Sequence, residues 1–147
     1  MGMYGYLAAI SPEAVRFLGR QPDFDTFMGL LTGDAGLEVG QMWDAVDRVV
    51  STLLDSQGSI TSGTPVTDDL GYGPAAFLSV EKVRSMAASL SAVSEARLVA
   101  ALADTAMTDA YPDVSTLESC ALAPTRDTIA LIERAAVQQL GIIFVVV

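Results

Sequence analysis

Histidine is absent from the 147 residues, and cysteine and lysine occur once each. Without imidazole, Ser-His-Asp and Cys-His nucleophilic machinery is excluded, and so are the commonest imidazole-ligated metal sites. The side chain that titrates near neutrality unaided is also missing, so any acid–base chemistry would need a perturbed carboxylate, thiol or amine. Cys120 alone permits no internal disulfide and no thiolate metal cluster, and it reads as a buried, inert thiol. No cofactor motif stands in the sequence. Long apolar runs are lacking as well. The mean hydropathy is +0.43, yet the longest run, Gly141 to Val147, falls far short of the ~20 residues that a membrane-spanning helix needs.

Positive charge is scarce. Lys and Arg total 8 against 18 Asp and Glu, a formal net charge of −10. Phosphate backbones are bound by clustered cations, and none are clustered here. An acidic surface repels nucleic acid and anionic lipid and attracts basic partners. Neither nucleic-acid nor membrane binding is expected. Met1 to Gly5 shows no basic stretch leading into an apolar one, so no signal peptide is expected and a cytoplasmic location is the default.

What is present is a globular composition: 51% hydrophobic and 18% charged, at a length typical of one domain with one core. Intrinsic disorder is excluded as the main state. Tyr4 to Ile10 reads as a buried strand. Ser11-Pro12-Glu13 carries a capping hydroxyl, a proline at the first helical position and an acid at the positive end of the dipole, so a helix starts there. Asp23 opens a second short helix, stopped at Thr32-Gly33. From Val39 through Met42, Trp43, Val46, Val50 and Leu54, apolar residues recur at helical spacing and predict an amphipathic helix.

Gln57 to Pro65 reads as a loop. Asp68-Asp69-Leu70-Gly71-Tyr72-Gly73-Pro74 reads as a shaped one, followed by a short extended piece, Ala75 to Leu78. Ser79 and Ser94 cap two further helices. Asp109 to Ser115 is another loop, and Thr116 to Leu140 is largely helical, either kinked at Pro124 or made of two helices. Ile142 to Val147 has no polar alternation, so it must be covered on both faces and paired on both edges; this places it centrally, beside the N-terminal strand. The expected fold is one layered α/β (α+β) domain over residues 1–147. A small mixed sheet holds the N- and C-terminal strands, covered by five or six helices.

Several groups invite a chemical reading. The Gly-Tyr-Gly-Pro loop is neither a Walker loop nor a dinucleotide fingerprint. Asp68 with Asp69, Asp44 with Asp47 and Asp109 with Asp113 are carboxylate pairs that could support acid–base work or bind a divalent cation; their plainer reading is solvated charge or helix capping. Trp43, Tyr72 and Tyr111 each lie beside an acid or a shaped loop, and buried Tyr and Trp seek polar partners. Asp69, Tyr72, Tyr111 and Asp113 converging on a cleft beneath Trp43 is the sharper expectation; scattered core and loop anchors is the plainer one.

The opening Met1-Gly-Met with Gly5 and Tyr6, the Trp43 helix, Leu70-Gly-Tyr-Gly-Pro-Ala75 with Leu78-Ser79 and a helix after it, Tyr111-Pro112 and the closing helix and strand resemble the YfbM-like family in the same order along the whole chain. That is a bacterial family of small single-domain proteins of unknown function. The resemblance implies a layered α/β fold and carries over no catalytic residues. Family members often have His just after the Trp and again within that helix; Asp44 and Asp47 stand there in this chain, so no role resting on those histidines transfers.

Two functional readings follow. The first is a non-catalytic acidic binding protein for a basic protein partner. The second is a small-molecule binder or enzyme using Asp69, Tyr72, Tyr111 and Asp113, with a carboxylate as base. A homodimer built through an exposed apolar helix face is compatible with either.

Overall fold

The structure, a computed structural model, describes residues 3–104 and 114–147. In chain order the elements are β1 (Gly5–Ile10), α1 (Pro12–Leu18), α2 (Phe24–Thr32), β2 (Gly36–Gly40), α3 (Trp43–Leu53), β3 (Thr64–Asp69), β4 (Pro74–Leu78), α4 (Val80–Leu90), α5 (Glu95–Asp104), α6 (Val114–Val137) and β5 (Gly141–Val146). The five strands form one sheet in the order β2-β1-β5-β4-β3. As the β-branched run of β5 requires, that strand lies at the centre, paired with β1 on one side and β4 on the other, and every residue from Gly141 to Val146 is buried. Where the sequence suggested a mixed sheet, all four pairings are antiparallel.

The period-two alternation of side chains gives the sheet two unequal faces. Leu7, Ala9, Ile142, Phe144, Val146 and Leu78 point to the larger core, which also takes the apolar stripes of α3, α4, α5 and α6. Ala8, Ile10, Ile143, Val145 and Ala75 point to a smaller core closed by Phe27 and Leu31 of α2 and edged by Val15 and Leu18 of α1. Among the described residues, no single helix is long and apolar enough to cross a membrane.

The caps fall where the chemistry of the termini asks for them. Ser11, Asp23 and Ser79 each accept a hydrogen bond from the backbone amide three residues on, with Pro12 at the first helical position of α1; the Ser94 hydroxyl does the same for Arg97. α6 is one helix through Pro124, where the Thr128 hydroxyl donates to the Pro124 carbonyl at 2.8 Å.

Four expectations are corrected. Val39 belongs to β2, not to the helix that starts at Trp43: apolar spacing continued upstream by chance, while Gly40 at φ +72° marks the break. Thr64 and Pro65 lie in β3 rather than in the loop, and Asp68 and Asp69 end that strand. A proline and four polar residues hide this strand from hydropathy patterning, and Pro65 is accommodated because β3 is an edge strand. Cys120 is exposed rather than buried, off the buried stripe of α6 that runs through Ala121, Thr125 and Thr128.

Candidate functional site

Sheet register gathers the aromatic residues at one end of the molecule. Tyr4 and Val147 exchange backbone hydrogen bonds at 2.8 and 2.9 Å, which extends the β1–β5 ladder by one pair beyond Gly5↔Val146. Ala76 pairs with Phe144, and continuing that register sets Pro74 beside Val146 and Gly73 beside Val147. The β3–β4 turn therefore lies at the same end of the sheet as Tyr4. β1 and β4 are separated only by β5, two strand spacings or about 10 Å.

On the larger-core face of this end, the Trp43 ring packs against Phe144 with centroids 5.9 Å apart, above Gly5. On the opposite face, Tyr6 stands directly across from Glu38 of β2. Tyr4, two residues earlier, falls on the same face by alternation. Tyr4 is 40% exposed and Tyr72, at the tip of the turn, is 52% exposed. The lone tryptophan and three of the four tyrosines thus ring one end of the sheet.

The turn that presents Tyr72 is closed by its own carboxylate. Asp69 Oδ1 accepts from the Gly71 amide at 2.7 Å and the Gly73 amide at 3.0 Å, and the Leu70 amide donates to the Gly73 carbonyl. Gly71 and Gly73 sit at φ +118° and +105°, open only to glycine at low cost. The two amides hold the Asp69 carboxyl below its ordinary pKa. The neighbouring Asp68 is likewise held low, by hydrogen bonds first from Arg20, at 2.8 Å, and then from Gln21. Neither acid is a base poised near neutrality.

The other carboxylates singled out from sequence have separate partners too. Asp44 pairs with Arg48 on α3. Asp47 accepts from the Thr61 amide at 3.2 Å and the Thr61 hydroxyl at 2.9 Å; burial raises its pKa, and these hydrogen bonds oppose the rise. Among the described residues, no three Cys, Asp or Glu side chains come together so as to hold a metal ion.

Of the five candidate residues, Asp69 and Tyr72 share the turn, and Trp43 stands on the larger-core face at the same end of the sheet. Tyr111 and Asp113, with the Asp109 pairing, lie outside the described residues. Sequence reasoning missed Tyr4, Tyr6 and Glu38. The Tyr-Gly-Tyr alternation from Tyr4 to Tyr6 was the available signal, but Glu38 could not be placed while Val39 was read as the start of a helix and β2 went unrecognised. Burial first, then the Glu38 carboxylate and then Tyr4, push the Tyr6 phenol above its ordinary pKa. Exposed aromatic faces beside a carboxylate attract a cation through the ring quadrupole and through charge.

The family described as "Domain of unknown function (DUF1877)" matches residues 1–145. No curated protein matches the chain. Among solved structures, it is similar to "The Crystal Structure of a Protein of Unknown Function YfbM from Escherichia coli", with 17% identity, 98% of this chain and 99% of that one covered, and a TM-score of 0.67.

Proposed function

The chain belongs to the DUF1877, YfbM-like family of domains of unknown function, and from that premise we propose that it is a non-catalytic binding protein for a basic protein partner, whose Lys or Arg side chains are received at the aromatic end of the sheet. The observation that carries this reading is the placement of Tyr4 and Tyr6 beside Glu38, at the same end as the exposed Tyr72. Tyrosine and tryptophan supply large, stiff contact area and dominate interface hot spots.

Electrostatics favours the same partner. Among the described residues, Arg20, Arg48, Arg97 and Arg126 are paired with Asp68, Asp44, Asp55 and Glu95, so these cations are neutralised locally while the chain keeps its charge of −10. Of the two carboxylates that the enzyme reading offers as base, Asp69 closes a turn with a lowered pKa, which weighs against it in that role. The test is a fluorescence-anisotropy titration with a labelled Lys/Arg-rich peptide at low and high salt. Binding weakened by Glu38→Gln, by Tyr4→Ala and by salt is expected. A response to salt alone, identical in both variants, would mean diffuse charge attraction and end the proposal.

A further inference from the structure

At the end of the sheet opposite Tyr4, Ala9 pairs with Ile142 and Ile10 with Gly141. There a cavity of about 260 Å³ opens between the α2–β2 turn and the last turn of α6. Its floor is apolar: Ala9 and Leu131, both buried, with the half-buried Leu140. Polar side chains line it from two sides, Asp34 from the turn, Arg134 and Gln138 from the end of α6. Among the described residues, none of these three side chains is engaged in a hydrogen bond or an ion pair, so Asp34 and Arg134 share a cavity without meeting. The walls are fixed by backbone. The Ala9 amide donates to the Ala35 carbonyl at 3.0 Å and the Gly36 amide to the Gly33 carbonyl at 2.9 Å, which pins the turn that carries Asp34. The Leu140 amide donates to the Ala135 carbonyl at 2.8 Å and the Gln138 amide to the Arg134 carbonyl at 3.0 Å, closing the end of α6 with Gln139 at φ +58°. Glu133, the residue before Arg134, lines an adjoining cavity together with Arg134 and Gln138, and not this one. One cation and one acid therefore face this cavity.

We infer that this cavity is a second binding site, for a free α-amino acid with an apolar side chain. The Arg134 guanidinium and the Gln138 amide take its carboxylate, Asp34 takes its ammonium group, and its side chain covers Leu131 and Leu140. A few convergent polar groups over an apolar floor are the usual form of a small-ligand pocket. A volume of about 260 Å³ falls below the roughly 300–1,000 Å³ of sites for drug-sized ligands, which limits the occupant to the size of a single amino acid. Charge narrows the class further. A carboxylate alone would suit the guanidinium fork but leave Asp34 unanswered, and would approach against a net charge of −10. An amine alone would suit Asp34 but face the Arg134 cation. Opposite charges on one small molecule satisfy both walls. This site lies away from the aromatic end of the sheet and does not depend on the peptide binding proposed there.

The experiment is an amide-resonance NMR titration of the full chain with L-leucine, N-acetyl-L-leucine and L-leucinamide, on wild type, Asp34→Asn and Arg134→Gln. Asp34 and Arg134 are exposed, so both variants should keep the wild-type thermal midpoint. Leucine should shift the amides of Asp34, Ala35 and Gln138, and should bind wild type at least about tenfold more tightly than either blocked form. Asp34→Asn should abolish the advantage of leucine over N-acetyl-leucine, and Arg134→Gln its advantage over leucinamide, each leaving the other advantage in place. Equal binding of leucine and N-acetyl-leucine to wild type would make this a carboxylate site and overturn the inference. Equal binding of leucine and leucinamide would overturn it as an amine site. Shifts that are absent at millimolar leucine, or that map away from the cavity, would overturn it outright. Preferences unchanged in both variants would remove Asp34 and Arg134 from the site. If a variant loses its fold, the three ligands on wild type still decide.

Discussion

Trp43 leaves no room for a side chain at Gly5: a Cβ there would run into the Trp43 Cβ and come within 2.9 Å of its Cγ and 3.3 Å of the Phe144 ring. The constraint is one of packing. Gly5→Ala should therefore lower stability by about 1–3 kcal/mol through overpacking, read as a fall in the urea midpoint at constant m-value. A midpoint equal to wild type would mean that Trp43 can move aside freely and is no fixed part of that end of the sheet.

Asp47 should set a distinctive pH trend. Its carboxyl has a raised pKa in the folded chain, chiefly through burial. Protonation thus favours the folded state: this contribution is fully present below the ordinary carboxylate pKa and is lost as pH rises through the raised value. Asp47→Asn, which keeps an acceptor for Thr61, should gain stability relative to wild type as pH goes from about 3.5 to 7. Urea titrations at both pH values decide it; a gap that moves in wild type's favour as pH rises contradicts the assignment.

Asp69 should behave oppositely. Its lowered pKa means a stabilisation present above the ordinary carboxylate value and lost as pH falls through the depressed one. Asp69→Ala should speed hydrogen exchange at the Gly71 and Gly73 amides, while Asp69→Asn, which retains an oxygen acceptor, should protect them better than Ala does. Equal protection in the two variants would show that backbone geometry alone closes the turn.

Two threonines on α6 make an internal control. Thr128 donates to the Pro124 carbonyl, whereas the buried Thr125 hydroxyl has no hydrogen-bond partner among the described residues. Thr125→Val should stabilise the protein by about 1 kcal/mol by removing an uncompensated polar group, and Thr128→Val should cost about 1 kcal/mol. Scanning calorimetry of the pair tests the contrast; destabilisation of similar size in both would show that Thr125 finds a partner.

Much of the fold was legible because its rules are local. Ser11, Asp23, Ser79 and Ser94 announce helix starts through capping chemistry, and the unbroken Ile142–Val147 run can only sit in the middle of a sheet. β3 was not legible: Thr64-Pro65-Val66-Thr67-Asp68-Asp69 carries one apolar residue other than its proline, and pairing with β4 rather than hydropathy makes it a strand. β2 was masked because Val39 happens to fit the helical spacing of Val46 and Val50. The site was legible only where a sequence-local motif carried it, at Asp69 and Tyr72. Tyr4, Tyr6 and Glu38 meet through register between strands, which no local pattern encodes.

The central place of β5 bears on how the protein is made. Translation delivers β1 to β4 first, yet β2–β1 and β4–β3 meet only through the strand that comes last. On the ribosome, the nascent chain holds two separate hairpin-like halves with apolar edges that want the same absent partner. Closing the sheet joins residues more than a hundred positions apart, at a large loop-closure entropy. Until then those edges are open to any extended chain nearby, so chaperone dependence during synthesis should exceed what the stability of the finished protein would suggest.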